Sequence, residues 1–166
     1  MSLKRTVRKT GQASPRLTAG RAAMALLARR DFSRAELSAR LLSKGFDGDA
    51  VGAAIGELAA TRAIDDARYA HHYVAYQAGR GRGPIRIAAD LRKNGIAAEL
   101  IEAAVAEGPD WTTIAARVRR ARFGAKAPAS WSERARQARF LQYRGFSSDH
   151  TRAVTGVDPD TGSSDP

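Results

Sequence analysis

One pattern recurs three times along the chain at intervals of 50 residues, and it limits the possible folds more than any other feature. Each copy reads Leu, any three residues, Gly and then a large apolar residue. Self-similarity at a fixed period of this length is typical of proteins that stack small units of secondary structure. The repeat anchors that the pattern predicts are Leu41, Gly45, Phe46, Leu91, Gly95, Ile96, Leu141, Gly145 and Phe146.

Each copy predicts a helix, a tight turn and a second helix. The Leu closes the apolar stripe of the first helix, and the Gly takes the left-handed conformation that commonly follows a helix end. An acidic residue stands four positions after each Gly, at Asp49, Glu99 and Asp149. This position falls in the first turn of the next helix, where a negative charge complements the helix dipole.

A further helical stretch precedes each of these pairs, at residues 22–29, 66–78 and 111–123. No segment alternates between apolar and polar residues as a strand does. We therefore predict an all-α fold of about nine helices, arranged as three tandem three-helix modules in an elongated, curved array. The modules span residues 22–64, 65–109 and 110–155.

The helix starts agree with this division, although the third copy departs from the apolar pattern. Ser33 and Ser130 are each followed three residues later by Glu, which predicts a capping box. Gly83-Pro84 supplies the rigid first turn in the second copy. Gln137 stands one turn before Leu141, where the other copies have leucine or isoleucine, so the third module matches less well.

The two ends of the chain differ from its middle in composition. Residues 1–21 carry six basic and no acidic residues, and Pro15 and Gly20 are expected to break any long helix there. We interpret this segment as a flexible basic arm, either a binding element or a leader without function. Residues 156–166 are expected to form a disordered acidic tail.

Composition excludes several classes of protein. The chain has no Cys, which removes disulfide scaffolds, thiolate metal sites and a Cys nucleophile. No apolar run approaches the roughly 18 residues that a bilayer span needs, and no secretory signal is apparent. We expect a cytoplasmic protein that does not bind membranes and that is a monomer, since a repeat array needs no partner to form its core.

Nothing in the sequence argues for catalysis. His71 and His72 are adjacent, so on a helix they point about 100° apart and do not make a metal-binding pair. Asp65 and Asp66 are better explained as residues at the start of a helix than as metal ligands. We expect no catalytic residue, metal or cofactor; the alternative is an enzyme acting on nucleic acid through Asp65 and Asp66.

The basic residues are concentrated in the last third of the folded region. The net charge of the chain is +11, and residues 110–155 alone contribute +7, with no acid between Trp111 and Ser132. Helical spacing places Arg119, Arg122 and Lys126 on one face. Such a face favours nucleic-acid phosphates or an acidic protein surface. The candidate binding residues of this region are Arg117, Arg119, Arg120, Arg122, Lys126, Arg134, Arg136, Arg139 and Arg144.

A second candidate element is the stretch from Gly79 to Pro84, where Gly and Arg alternate before a helix. Its backbone N–H groups, with Arg80, Arg82 and Arg86, are suited to a phosphate or carboxylate. The alternative is a flexible loop with solvated arginines, and we favour that alternative because such loops are common in basic proteins.

The order and spacing of the motifs resemble those of the RecX family of bacterial regulatory proteins, over residues 22–155. The matching pieces are Ser33-x-x-Glu36-Leu37, Leu41-x-x-Lys44-Gly45-Phe46, Ala63-Ile64-Asp65-Asp66-Ala67-Arg68-Tyr69-Ala70, Gly83-Pro84-x-Arg86-Ile87-x-x-Asp90-Leu91-x-x-Asn94-Gly95-Ile96 and Arg139-x-Leu141-x-x-Arg144-Gly145-Phe146-Ser147. The chain departs from the family at Asn94, where Lys is usual, at Asp90, where Glu is common, and at Gln137 and Thr151 in the third copy.

The resemblance implies three tandem three-helix repeats and binding to the RecA recombinase, especially to RecA filaments on single-stranded DNA. It also implies suppression of the ATPase, strand-exchange and co-protease activities of RecA, and hence modulation of recombination and of the SOS response. It carries no catalytic residue. The alternative is a general DNA- or RNA-binding architectural protein that acts through phosphate contacts.

Overall fold

The structure is a computed structural model that describes residues 15–157. Within this range every regular element is an α-helix, and there are nine of them. The chain divides by its contacts into two compact units, the first ending at Asp65 and the second beginning at Asp66. The structure thus confirms the all-α prediction for the described residues, and it places the second and third predicted modules in one unit.

The nine helices follow one another in sets of three. In the first unit they are α1 (Pro15–Leu27), α2 (Arg34–Ser43) and α3 (Gly48–Ala60). In the second unit they are α4 (Asp66–Gly79), α5 (Pro84–Lys93), α6 (Ala98–Ala106), α7 (Trp111–Phe123), α8 (Trp131–Tyr143) and α9 (Ser148–Thr155).

The three predicted glycine turns are present. Gly45, Gly95 and Gly145 have φ angles of +88°, +76° and +93°, the left-handed region that a Cβ disfavours. In each turn the N–H of the apolar residue after the Gly donates to the carbonyl of the anchor Leu, at 3.3, 3.1 and 3.1 Å. The Gly N–H donates to the residue after that Leu, which completes a Schellman motif. The anchors Leu41, Leu91 and Leu141 are fully buried.

Each set of three helices surrounds its own apolar cluster. In the first unit the cluster includes Phe32, Leu37, Leu41, Val51 and Ile64. In the second unit one cluster is built mainly from Val74, Ile87, Leu91, Ile96 and Ile101, and another from Ala115, Val118, Leu141 and Phe146. Burial of such side chains contributes about 1.5 to 3 kcal/mol each and holds the short helices together.

The side chain of Trp111 packs against both clusters of the second unit. Its indole Nε1–H donates to the carbonyl of Val105 at 3.2 Å, so the polar edge of the ring is satisfied. The last helix of the second repeat and the first helix of the third are therefore joined by one aromatic side chain.

The prediction of a flexible arm over residues 1–21 is wrong for its last seven residues, because α1 begins at Pro15. Proline suits the first position of a helix, where its missing N–H is not needed. Ala19 is fully buried in a small cluster with Ala50 and Ala54, so packing overrides the low helix propensity of Gly20. Residues 1–14 and 158–166, with most of both predicted tails, lie outside the described residues.

The capping serines are found at the predicted helix starts, although the predicted reciprocal bonds are not all made. The Ser33 and Ser130 hydroxyl oxygens accept the N–H groups of Glu36 and Glu133 at 3.0 and 3.2 Å. The Glu133 carboxylate accepts the N–H of Ala129 instead of the N–H of the capping serine. These bonds satisfy donors that a helix start would otherwise leave unpaired.

Candidate functional site

The glycine-rich loop between α4 and α5 is clamped onto the third glycine turn of the second unit. The N–H of Gly83 donates to the carbonyl of Arg144 at 2.8 Å, and the N–H of Ile85 donates to the carbonyl of Gly145 at 3.0 Å. A Cβ on Gly83 would overlap the carbonyl group of Gly145 and the backbone nitrogen of Phe146. The two backbones approach so closely that only glycine fits, and the second and third repeats are locked together there.

The clamp contradicts the hypothesis, less favoured from the sequence, that backbone N–H groups of the loop hold an anion. The N–H groups of Arg80, Gly81 and Arg82 donate to carbonyls at the end of α4, and the N–H of Gly83 donates to the third repeat. All four donors are therefore already committed to acceptors within the chain. The loop contributes to any anion site through its arginine side chains alone.

Four of the predicted arginines meet in one cleft of about 470 Å³ next to this clamp. They are Arg80, Arg117, Arg122 and Arg144, and Val118 and Phe140 supply an apolar floor. None of the nine residues that line the cleft is acidic. Four positive charges with no carboxylate among them repel one another unless an anion is bound.

Two of these guanidinium groups are fixed by main-chain carbonyls. Arg117 donates to the carbonyls of Ala78 and Gly79 at 3.1 and 3.2 Å. Arg144 donates from Nε to Gly81 and from Nη2 to Arg80, both at 3.1 Å. The acceptors lie at or just beyond the carboxyl end of α4, where the helix dipole favours a cation. The arginines are thus held in place without being neutralised by a carboxylate.

The other two arginines of the cleft contact aromatic rings, and both are solvent-exposed, as Arg117 is. Arg80 donates to the hydroxyl of Tyr76 at 3.2 Å, and its guanidinium carbon lies 5.7 Å from the centre of that ring. Arg122 lies 5.9 Å from the centre of the Phe123 ring. Contacts of this kind leave most guanidinium N–H groups available to a ligand.

The outer face of α8 carries a second basic group. Arg136, Arg139 and Tyr143 stand at i, i+3 and i+7 on this helix, so they share one face, and all three are exposed. Tyr143 is 84% exposed, an unusual position for a large aromatic side chain. Arginine and tyrosine are the residue types that most often anchor interfaces, so this face is suited to a partner.

Arg119 does not belong to the basic surface, and its assignment to an exposed face with Arg122 and Lys126 is wrong. The side chain is 8% exposed. Its guanidinium donates to the carbonyls of Lys126 and Gly124 at 3.0 and 3.2 Å and to Oε1 of Gln137 at 3.1 Å. Arg119 therefore ties the loop after α7 to α8 and is a structural residue.

Gln137 is the other half of this arrangement. It is buried at the position where the other two repeats place Leu37 and Ile87. The departure from the apolar pattern is explained by the guanidinium of Arg119, which needs an acceptor inside the third repeat. A polar residue at an expected core position was the sequence signal for this pair.

Arg82 and Arg86 are both engaged within the second unit. Arg82 forms an ion pair with Asp90 at 2.8 Å, and the hydroxyl of Tyr73 donates to the same carboxylate at 3.3 Å. Burial, and then the Asp90 charge, raise the pKa of Tyr73. Arg86 donates to the carbonyl of Tyr143 at 3.3 Å, beside the exposed face of α8. The remaining predicted cations, Arg120, Lys126 and Arg134, are exposed outside the four-arginine cleft.

The histidines considered for metal binding have other neighbours in the described part of the chain. Within residues 15–157 no three His, Cys, Asp or Glu side chains come close enough together to hold a metal ion. His71 lies 3.7 Å from the carboxylate of Glu107. His150 completes a capping box at the start of α9 with Ser147, a role that the sequence reasoning missed. No helix in the described part of the chain is long and apolar enough to cross a bilayer.

Comparison with known proteins places this all-α repeat protein in one family. Models of the first, second and third three-helix domains of RecX match residues 19–58, 65–105 and 112–155. The Regulatory protein RecX of Halorhodospira halophila is 41% identical over 137 residues, which cover 82% of this chain and 85% of the relative. The protein of the same name from Xanthomonas oryzae pv. oryzae is 39% identical and covers 91% and 95%. The chain therefore belongs to the RecX family.

Solved structures agree at the level of the fold. The crystal structure of RecX from Lactobacillus salivarius superposes with a TM-score of 0.75 and 22% sequence identity, covering 88% of this chain and 97% of that one. A second crystal structure of a regulatory protein RecX gives a TM-score of 0.73 at 19% identity, over 86% and 72% of the two chains.

Proposed function

We propose that the protein is a negative regulator of the RecA recombinase. It binds RecA filaments on single-stranded DNA and inhibits their ATPase, strand-exchange and co-protease activities, which modulates recombination and the SOS response. It acts in the cytoplasm, as a monomer and without catalysis of its own. The observation that carries the proposal is membership of the RecX family across all three repeats, whose curated relatives are named regulatory proteins.

The surface of the second unit supports this function. A RecA filament on DNA offers two kinds of negative charge, the phosphates of the strand and the acidic side chains of the protein. The outer face of α8, with Arg136, Arg139 and Tyr143, combines charge with an exposed aromatic ring. Such a combination suits a protein–protein contact, in which tyrosine and arginine lose water and gain packing together.

The test is a titration of RecA's DNA-dependent ATP hydrolysis at near-physiological salt, beside a binding curve to bare single-stranded DNA. We expect inhibition at well below one protein per RecA, at concentrations where bare DNA is not bound. The double variant Arg136→Gln/Arg139→Gln should raise the half-inhibitory concentration at least tenfold. Arg92→Gln/Lys93→Gln, two exposed cations of α5, removes the same charge elsewhere in the second unit and should leave inhibition unchanged.

Two results would overturn parts of this proposal. Absence of inhibition at any ratio would remove the regulatory function. Equal loss of inhibition in both double variants would show that net charge, and not the outer face of α8, determines binding.

A second candidate function is general binding of nucleic acid through phosphates, and the four-arginine cleft favours it. Its signature is binding to single strands without RecA, with a steep loss of affinity as salt rises. Inhibition of RecA only at concentrations that coat the DNA would then give this second function the lead.

A further inference from the structure

We propose that the cleft lined by Arg80, Arg117, Arg122 and Arg144 is a built binding site for a phosphate group. The proposal concerns this cleft alone and does not depend on RecA. It separates these four arginines, which line one cleft that has no acidic lining residue, from the other basic residues that the structure describes.

The first argument is the absence of internal compensation. Arg82 nearby is neutralised by Asp90, and Arg30 in the first unit is paired with Glu36. The cleft instead is lined by four arginines and by no acidic residue. Like charges held together in this way are stabilised by an anion, and a site of this kind gains affinity from the repulsion that the anion relieves.

The second argument is preorganisation. Arg117 and Arg144 are anchored by four hydrogen bonds to the carbonyls of residues 78–81, so their side chains lose little freedom when a ligand binds. The carbonyls belong to a segment that is itself clamped to the third repeat through Gly83. Residues of both repeats therefore line one cleft, and hydrogen bonds between the repeats hold them together there.

The third argument is the match of donor type to ligand. A guanidinium offers a planar pair of N–H donors that fits two oxygens of a phosphate, which lysine does not. Arg80 and Arg122 retain free N–H donors at the exposed rim of the cleft. Val118 and Phe140 add apolar lining beside these arginines, which suits contact with a sugar or base next to a phosphate.

The ligand chemistry that this arrangement recognises is the phosphate group, supplied by a phosphodiester of single-stranded nucleic acid or by a free phosphate compound. The volume of about 470 Å³ lies within the range of small-molecule sites. The arms of the test distinguish the two sources by using an oligonucleotide and inorganic pyrophosphate as separate probes.

The test uses the full chain and the double variant Arg80→Gln/Arg122→Gln. Both side chains are exposed and neither bonds to the backbone, so the variant should fold, and its helical circular dichroism should match that of the native protein. The matched control is again Arg92→Gln/Lys93→Gln on α5, which lowers the net charge equally outside the cleft. Binding of pyrophosphate is measured by calorimetry and binding of a labelled dT oligonucleotide by fluorescence anisotropy.

We expect the cleft variant to weaken binding at least tenfold and the control variant to change it less than twofold. Each phosphate contact to a single strand contributes about −0.7 to the slope of log affinity against log salt, so loss of two contacts should reduce that slope by about 1.4. If the cleft variant loses affinity for the oligonucleotide, and pyrophosphate competes with the oligonucleotide for the native protein, the cleft binds a phosphodiester. If the cleft variant loses affinity for pyrophosphate alone, the cleft binds a free phosphate compound.

Three outcomes would overturn the proposal. They are no binding of either probe, equal weakening in the cleft and control variants, or tighter binding of poly-glutamate than of both phosphate probes. Retained inhibition of RecA by the cleft variant would separate this site from the regulatory function without affecting either conclusion.

Discussion

The turn at Gly45 in the first unit and the turn at Gly145 in the second have the same backbone hydrogen bonds and different surroundings. A Cβ added at Gly45 would meet no atom within 4 Å. A Cβ added at Gly145 would lie 2.5 Å from the Cβ of Arg86 and 2.7 Å from its nitrogen. One sequence motif therefore ends a helix in the first case, and in the second it also holds another repeat in place.

The first two repeats also differ in the residue that precedes their second helix. In the first repeat Ser33 caps α2 with its hydroxyl group. Fifty residues later the same position is Gly83, which begins α5 without a side-chain cap. The space that a cap would fill is occupied by the backbone of Gly145, so the second repeat gives up a capping bond and gains two bonds to the third repeat.

The largest expected effect comes from replacing Gly83 with serine, the residue that caps the corresponding helix in the first repeat. Gly83→Ser supplies a favourable capping residue by sequence rules, yet its Cβ would overlap the backbone of the third turn. We expect a loss of about 3 kcal/mol in the free energy of unfolding, at the upper end of the cost of overpacking. The measurement is chemical denaturation followed by circular dichroism.

Gly48→Ser is the control for this variant, because a Cβ at Gly48 meets nothing within 4 Å. It should change the free energy of unfolding by less than about 0.5 kcal/mol. A Gly83→Ser protein as stable as the native one would show that the clamp between the second and third repeats is absent in solution.

The next largest effect concerns the buried Arg119–Gln137 pair. In the first unit the position of Gln137 is taken by an apolar residue, Leu37. Arg119→Met leaves three acceptors without their donor and should cost about 2 to 3 kcal/mol, since bonds to a charged group are the stronger ones. Gln137→Leu restores the apolar pattern of the other repeats and should nevertheless destabilise, because it removes an acceptor from a buried guanidinium.

The double variant Arg119→Met/Gln137→Leu should lose about 1 to 2 kcal/mol less than the sum of the two single losses, since neither partner is then left alone. Denaturation of all four proteins gives this coupling energy. Strict additivity would contradict the pairing. Arg122→Met, on the same helix and exposed, should be close to neutral.

The two glycine turns themselves are compared by substituting each with alanine. Gly45→Ala carries only the strain of a left-handed residue, about 1 kcal/mol. Gly145→Ala carries the same strain and the overlap with Arg86, so it should cost about 1 to 2 kcal/mol more. Equal losses at the two positions would mean that the third turn does not pack against the second repeat.

Much of the fold could be predicted from the sequence because local rules determine it. The spacing of Leu91 and Gly95, and of the corresponding pairs in the other repeats, encodes a helix end in its own neighbourhood. The start of α1 at Pro15 was missed, because the burial of Ala19 against α3 depends on a contact between residues distant in sequence. Helix propensity alone does not contain that information.

The site was predicted less completely, for the same reason. The concentration of arginine in the last third is a local property, so it could be read from the sequence. Which arginines are free depends on tertiary contacts. Arg119 is buried, Arg82 is paired with Asp90, and Arg80 from the second repeat joins the arginines of the third. Helical spacing groups residues of one helix and does not show which helices meet.

The smallest expected effect distinguishes the two aspartates that cap helices in the two units. Asp47 accepts backbone N–H groups of Asp49 and Ala50 at the start of α3. Asp110 accepts the hydroxyl of Thr113 at 2.6 Å as well as the N–H of Thr112 at 3.0 Å. The side-chain bond from Thr113 is the main cause that lowers the pKa of Asp110 below 3.8, so its ionised form is favoured in the folded state.

Because the pKa of Asp110 is lowered on folding, its contribution to stability is complete above about 3.8 and is lost as pH falls through the folded value. Thr113→Val removes the hydroxyl donor, so the Asp110 pKa should rise toward 3.8 and the stability lost between pH 6 and pH 3 through this group should become smaller. Carboxyl carbon NMR titration gives the pKa, and denaturation at pH 6 and pH 3 gives the stability. An unchanged pKa in Thr113→Val would contradict this assignment and attribute the shift to the backbone N–H groups at the start of α7.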